Sequence, residues 1–322
     1  MKSKADRSKL LEHSITETSV PGRPADYRGK VRDIYFLDDD RMAIVATDRI
    51  SAFDHIFNEP IPYKGQLLNQ LAWYGFRNVD DLCTHHVIDV PHPNITIARR
   101  CRALPVEVVV RGYLAGHAWR VYKEGGRVLC GAAMPDGLRQ NEAFPQPLLT
   151  PTTKATEGHD EDIPEAEILS QGIVAEPLWN QIRQTAMNLY RRGHEVARRK
   201  GLILVDTKYE FGLSGDELVL IDEVHTADSS RYFYADGYGE RLSRGEPQKQ
   251  LSKEFLREWL IESGHHATLD QKLPVLPDEV RIAIYERYRE LYEKLTGEPF
   301  QPVSTGGFNQ ELETLLKKLS AS

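Results

Sequence analysis

Residues 202–213 read LILVDTKYEFGL, an apolar, aromatic and β-branched run into which Asp206, Lys208 and Glu210 set three charges at alternate positions. Composition predicts a strand. Side chains alternate between the faces of a strand, so these three share one face while Val205, Thr207 and Tyr209 share the other. The turn-forming residues SGD (214–216) lead into DELVLIDEV (216–224), and the two runs predict an antiparallel hairpin. A register symmetric about Gly215 would set Asp222 near Lys208 and Glu210, two carboxylates beside an ammonium. Buried charges must be paired, hydrogen-bonded or bound to a metal. A magnesium ion sharing phosphate oxygens meets that requirement; a solvent-exposed salt-bridge ladder is the alternative.

The flanking sequence supplies the scaffold. EPLWNQIRQTAMNLYRRGHEVARRKG (176–201) places Leu178, Ile182, Ala186, Leu189, Tyr190 and Val196 on one stripe, which predicts a helix ended by Gly201. SKEFLREWLIESG (252–264) and DEVRIAIYERYRELYEKLTG (278–297) predict two more, the second buried along Val280, Ile284, Tyr288, Leu291 and Leu295. YRGKVRDIYFLDDDRMAIVATDRISAFD (27–54) predicts a glycine turn, then a hairpin folded at Asp38–Asp40. In LPVEVVVRGYLAGHAWRVYKEGG (104–126) a strand gives way to a helix whose inner face is Tyr113, His117 and Val121 or Leu114, Ala118 and Tyr122. A lobe boundary is expected there, giving a β-rich lobe at 1–112 and an α+β lobe at 113–322. Residues 135–164, rich in proline, glycine, threonine and acid, predict a functional or disordered loop.

Composition bounds the classes of function. A chain of 322 residues, 40% hydrophobic, can bury a core, and its net charge of −7 argues against a general nucleic-acid binder. The locally basic ARRCR (98–102) and YRRGHEVARRK (190–200) read as solvated faces. No stretch is long and apolar enough to span a bilayer, and the N-terminal residues have no apolar signal core, so the cytoplasm is the default. Cys83, Cys101 and Cys130 lack paired spacing and read as unreactive thiols rather than disulfide or zinc ligands.

Several segments offer phosphate or magnesium chemistry. In YRGKVRD (27–33) the backbone can approach phosphate at Gly29, with Lys30 and Arg32 supplying charge; the alternative is a plain turn. TTKATEGHDEDI (152–163) offers Lys154 for phosphate and Asp160 for a metal, or is a surface loop. His159 has no spaced partners for zinc, the pairs His85–His86 and His265–His266 read as surface residues, and no G-x-S-x-G elbow is present. EVHTADSSRYF (223–233) carries Asp228, Ser230 and Arg231 away from the hairpin; Arg231, with Arg111 exposed at the end of VEVVVR, could clamp an anionic substrate. Four separate segments converging on one chemistry favour a functional site over unrelated surface charge.

YRGKVRDIY, DRISAFD, LPVEVVVRGYLAGHAW, TPTTKATEGHDEDI, LILVDTKYEFGL and IDEVHTADSSRYF, in this order from Tyr27 to Phe233, resemble the SAICAR synthetase family. The resemblance implies a two-lobe α+β fold of antiparallel sheets with flanking helices, related to ATP-grasp and kinase folds. It implies an ATP- and magnesium-dependent ligase of purine biosynthesis. Such an enzyme joins L-aspartate to the carboxylate of carboxyaminoimidazole ribonucleotide, through an acyl phosphate, to give SAICAR, ADP and phosphate. By the family's pattern Gly29, Lys30, Arg32, Glu107, Lys154 and Lys208 would contact ATP, with Lys154, Lys208 and Asp206 catalytic. Glu210, Asp222 and Asp160 would hold magnesium. Asp48, Ser51, Arg111, His117, Asp228, Ser230 and Arg231 would line the ribonucleotide site. Two positions depart from the pattern: His117 stands where serine is usual, and Ala227 where proline commonly precedes the aspartate. The resemblance implies small-molecule partners only and a monomer or small homo-oligomer. Another carboxylate–amine ligase, a small-molecule kinase and an RNA-binding protein are the rivals.

Overall fold

The structure, a computed structural model, describes residues 9–52, 55–154, 160–265 and 273–320. His159, His266 and the final two residues of DRISAFD lie outside the described residues. The fold is α+β with antiparallel sheets, as expected, and the chain forms two compact units.

Unit one comprises Met1–Trp73, Val87–Arg100 and Lys253–Ser322. Its strands are β1 (Tyr27–Arg28), β2 (Arg32–Phe36), β3 (Arg41–Ala46), the short pair β4 (Ser51–Ala52) and β5 (His55–Ile56), then β6 (Val87–His92) and β7 (Ile95–Arg99). The main sheet runs β1-β2-β3-β7-β6. The expected hairpin is β2–β3, and Asp38 folds it by accepting the amides of Asp40 and Arg41 at 2.9 and 2.6 Å. Helix α1 (Lys64–Arg77) leads from this unit into the second.

Unit two, Tyr74–His86 and Cys101–Ser252, is built on β8 (Arg102–Tyr113), the pair β9 (Val128–Leu129) and β10 (Ala132–Ala133), β11 (Ala143–Thr153), β12 (Leu202–Ser214), β13 (Glu217–Ile221), β14 (Ser230–Tyr234) and β15 (Gln250–Leu251). The large sheet runs β11-β8-β12-β14-β15, with β13 also on β12. Its helices are α2 (Gly116–Lys123), α3 (Glu165–Ser170), α4 (Glu176–Arg199) and α5 (Tyr238–Arg244). Unit one is completed by α6 (Glu254–Glu262), α7 (Asp278–Thr296) and α8 (Phe308–Ser320).

This division corrects the expected boundary at 112/113. Strand β8 pairs with β11 and β12, so a cut there would part hydrogen-bonded neighbours. The C-terminal helices belong with the first sheet instead: Phe308, Leu312 and Leu316 of α8 pack on Tyr35, Ala43, Val45, Ile95 and Ile97. Helix α7 buries the expected Val280, Ile284, Tyr288, Leu291 and Leu295.

Residues 135–164 are also corrected, because 143–153 of that stretch form β11. Prolines 145, 147 and 151 are accommodated because β11 is an edge strand, where missing amides break no second ladder. In α2 the buried face is Leu114, Ala118 and Tyr122 rather than the His117 face. In α4 the stripe turns slightly from that expected: Trp179, Ile182, Ala186, Leu189, Tyr190 and Ala197 are buried, while Leu178 and Val196 sit at its margin.

Helix α4 approaches the sheet closely at Gly112. Tyr190 Oη donates to the Leu204 carbonyl at 2.8 Å, and a Cβ at residue 112 would lie 1.9 Å from that hydroxyl. We predict that Gly112→Ala destabilises the protein by about 1–3 kcal/mol in urea unfolding. Combined with Tyr190→Phe, which removes the clashing oxygen, the loss should fall short of the sum of the single losses; strict additivity would refute this packing account.

Candidate active site

Strand register builds the site. Asp206 on β12 lies opposite Arg111 on β8 and Arg231 on β14, Lys208 opposite Val109, and Glu210 opposite Glu107. Alternation therefore gathers Glu107, Arg111, Asp206, Lys208, Glu210 and Arg231 on one sheet face. The reverse face is structural: Ser230 Oγ donates to Thr207 Oγ1 at 2.8 Å, and Tyr209 Oη lies 2.7 Å from His225 Nε2. Ser230, expected on the substrate, thus points away from the charged face.

The hairpin register needs one correction. It pairs Ser214 with Glu217 and Glu210 with Ile221, centred between Gly215 and Asp216, so alternation alone would set Asp222 on Tyr209's face. Asp222 instead adopts a left-handed backbone at φ 68° and leaves the ladder, which brings its Oδ2 within 3.9 Å of Lys208 Nζ. Non-glycine residues adopt that conformation at a conformational cost, which the surrounding contacts must offset.

Lysine and carboxylate are closely interleaved. Lys208 Nζ donates to Glu107 Oε1 at 2.8 Å and to Glu210, whose other oxygen receives Lys154. Burial alone would raise the Glu210 carboxyl, but Lys208 and Lys154 outweigh it and hold the group well below the usual range. Glu107, with one ammonium to share, is pushed by burial up to about 7. Burial opposes the charge of Lys208, yet the carboxylates around it hold its pKa well above the ordinary value.

Two residues along β12 a second arrangement begins. Arg231 Nη1 donates to Asp206 Oδ2 at 2.5 Å and Arg111 Nη1 to the same oxygen at 3.4 Å. Arg111, expected to be exposed, is only 7% accessible, and Thr150 Oγ1 accepts its Nε at 2.9 Å. One carboxylate oxygen thus serves two guanidiniums, a grouping of donors suited to an anion. Gly116, at φ 53°, lets the Arg231 guanidinium pass where a Cβ would lie 2.5 Å from its Nη2. His117 Nε2 reaches Asp162 Oδ2 at 2.6 Å. Asp228 lies in the turn before β14, its amide donating to Thr226 Oγ1 at 3.2 Å. Thr150 and Asp162 escaped the sequence reading because only strand pairing brings them to these partners.

Unit one holds the remaining expected residues. The Gly29 amide donates to the Arg32 carbonyl at 2.8 Å to close the glycine turn, on which Lys30 is exposed. Arg49, which sequence reasoning missed, pins this turn by donating to the carbonyls of Gly29 and Lys30 at 3.0 and 3.1 Å and to Asp33 Oδ1 at 2.8 Å. Ser51 Oγ lies 3.5 Å from Lys253 Nζ. Asp48 is buried and accepts the amides of Ile15 and Gly65 at 2.6 and 2.8 Å, which ties three segments of this unit together.

Magnesium chemistry fits the donors present. Among the described residues no three His, Cys, Asp or Glu side chains form a metal-holding group. The ion needs only one or two protein carboxylates when phosphate and water complete its shell, and the hard oxygens of Glu210 and Asp222 are of the right kind.

Guanidiniums, ammoniums and carboxylates in register on one sheet face define an enzyme that handles phosphorylated substrates. The SAICAR synthetase family matches residues 25–272. The phosphoribosylaminoimidazole-succinocarboxamide synthase of Cytophaga hutchinsonii is 50% identical over 310 residues, covering 95% of this chain and 100% of the relative. The SAICAR synthase of Saccharomyces cerevisiae complexed with SAICAR is similar with a TM-score of 0.77 at 34% identity, covering 90% of this chain and all of that one. A type-2 SAICAR synthetase in complex with ADP gives a TM-score of 0.64 at 26% identity, over 86% of this chain and 99% of that one. The chain belongs to the SAICAR synthetase family and is a ligase.

Two measurements probe the electrostatics. Asp206→Ala would leave Arg111 and Arg231 facing each other without their carboxylate, and we predict a loss of about 3–5 kcal/mol in urea unfolding; a loss below about 1 kcal/mol would contradict the pairing. Burial pushes the Asp48 carboxyl up to about 7, above its unfolded value of about 4. The folded state thus retains a proton that the unfolded chain releases, so the stability Asp48 contributes is full below pH 4 and is lost as pH rises to about 7. The fall in unfolding free energy over this window should be shallower in Asp48→Asn, and an unchanged slope would count against the assignment.

Proposed function

We infer that the charged face carries out ATP-dependent ligation of L-aspartate to the carboxylate of carboxyaminoimidazole ribonucleotide, yielding SAICAR, ADP and phosphate in purine biosynthesis. The observation that carries this reading is the adjacency on β12 of an arginine pair and a lysine–carboxylate row, two residues apart. A carboxylate resists attack by an amine. Transfer of the γ-phosphoryl group of ATP to the substrate carboxylate breaks the β–γ phosphoanhydride and forms an acyl phosphate; the aspartate amine then attacks that carbonyl and expels phosphate. Positioning and charge neutralisation supply most of the acceleration in such a transfer.

The residues divide accordingly. Arg111 and Arg231, held by Asp206, bind the anionic ribonucleotide, with Asp228 assigned to the same ligand and Ser230 supporting β14 from the reverse face; Ser51 is assigned to the substrate from the first unit, in which Asp48 holds three segments together. Asp206 is expected to be catalytic, but its Oδ2 receives both guanidiniums, so it is assigned to orienting them. Lys154 and Lys208 are aimed at transferring phosphate, and Glu107 with Gly29, Lys30 and Arg32 at ATP. Glu210 and Asp222 would hold the magnesium ion, and Asp160, whose charge reaches Glu107, would lie near it. When bound, the ion supplies charge neutralisation for the phosphates. The complexes of relatives with SAICAR and with ADP support a ribonucleotide and an adenine nucleotide as the bound small molecules. No helix of the described residues is long and apolar enough to cross a membrane; cytoplasmic placement follows from the reading of the reaction.

The decisive assay is ADP release with magnesium and ATP, adding the ribonucleotide and L-aspartate separately and together. Turnover should require both, and Glu210→Gln should lower kcat by about 10²-fold or more. Release that needs neither substrate would reject the ligase reading in favour of a bare ATPase, and full activity in Glu210→Gln would remove that residue from the metal site.

A further inference from the structure

His117 is drawn away from the ribonucleotide role expected of it, because its Nε2 is bonded to Asp162 Oδ2 at 2.6 Å. Asp162 lies on a far segment that pairs with the outer edge of β11 at its end, and together they form a small hairpin. Thr152 stands opposite Asp162, the Thr153 amide donates to the Glu161 carbonyl at 2.8 Å, the Ile163 amide to the Pro151 carbonyl at 3.1 Å, and the Glu161 amide to Thr153 Oγ1 at 3.1 Å. On its other edge this end of β11 is paired with β8, Pro151 opposite Val108 and Thr153 opposite Val106, so the near strand is held by the sheet, while the far segment depends on these bonds and on what Asp162 touches. Its near arm ends in Lys154, whose amide is fixed to the Pro105 carbonyl at 3.0 Å and whose ammonium binds Glu210. Its far arm begins at Asp160, whose charge acts on Glu107.

We propose that His117 is a positioning residue which, through Asp162, fixes the far arm of this hairpin and so the placement of Lys154 and Asp160 against Glu107 and Glu210. The anchor is firm on the helix side. Leu114, Ala118 and Tyr122 of the α2 region are packed on Leu129, Met134 and Phe144, and the adjacent Gly116 lies under the Arg231 guanidinium. The first turn of α2 therefore touches the arginine pair through Gly116 and the lysine hairpin through His117, linking two parts of the charged face. Nε2–H donates to the carboxylate, which fixes the ring orientation. The His117 bond, the largest cause, and the charge of the Arg111 guanidinium hold the Asp162 carboxyl below its usual range against the effect of burial.

This inference rests on the phosphate-directed role given to Lys154, and the test separates the two. His117→Leu and His117→Gln, Asp162→Ala, the His117→Leu/Asp162→Ala double variant and Lys154→Met would be compared in the full chain. Steady-state kinetics and amide hydrogen exchange are the readouts. His117→Leu should lower kcat about tenfold or more with the KM for the ribonucleotide unchanged within about twofold. The Thr153 and Ile163 amides should exchange at least about tenfold faster while α4 is unaffected. Glutamine, whose amide can still donate to Asp162, should recover most of both, and the double variant should be no worse than Asp162→Ala alone. A rise in ribonucleotide KM at constant kcat would overturn the proposal by placing His117 on the substrate, and so would unchanged exchange at Thr153 and Ile163. If Lys154→Met retains kcat, the role of Lys154 is wrong, and hairpin exchange alone then decides whether His117 positions the arm.

Discussion

Asp206 shares one carboxylate oxygen between Arg111 and Arg231, and most of the charged face depends on that arrangement. All three side chains are nearly removed from water. Burying an ion unpaired is far costlier than burying it in a pair, so removal of any partner would leave a charge that the sheet cannot accommodate. Two guanidiniums gathered on one oxygen form a set of donors suited to an anion. Two residues on, Lys208 and Lys154 stand among the carboxylates of Glu107, Glu210 and Asp222. Neighbouring positions of one strand thus present two different chemistries, a guanidinium pair and a lysine–carboxylate row.

Holding such groups in register requires a backbone that cannot yield. The reverse face of β12 provides it through Tyr209 on His225, Thr207 with Ser230, and Tyr190 of α4 bonded to the Leu204 carbonyl over Gly112. The buried imidazole of His225 is held far below its ordinary pKa by desolvation, so it remains a neutral hydrogen-bonding group. Left-handed backbone at Asp222 and His225 is the accompanying distortion, concentrated where β13 releases the chain toward β14. Strain of this kind persists where neighbouring contacts over-determine the conformation, and here it aims a carboxylate.

Much of this was legible in the residues alone. Hairpin β12–β13, helix α4 and the charged face all follow from the period of two in LILVDTKYEFGL and the helical period in 176–201. Those signals are local, because each residue's face is set by its own backbone. The family motifs added the nature of the chemistry. The proline-rich stretch 135–164 misled for a physical reason: proline opposes strand formation in general but not at an edge, and whether a strand is an edge is a property of the sheet.

Tertiary structure decided the rest. Only pairing of β8 with β12 opposes Glu107 to Glu210 and Arg111 to Asp206, across sequence separations that no local pattern encodes. Only the departure of Asp222 from the ladder brings it to Lys208 in a register one residue different from the symmetric one. The bond from His117 to Asp162 and the grip of Arg49 on the glycine turn likewise join residues distant in the chain. The sequence determined which groups face the same side of each strand and helix, because dihedral periodicity is intrinsic to the chain. Which charges become partners, and hence which are neutralised and which remain available to substrate, was decided by long-range pairing, because Coulomb energy depends on distance in space rather than along the chain.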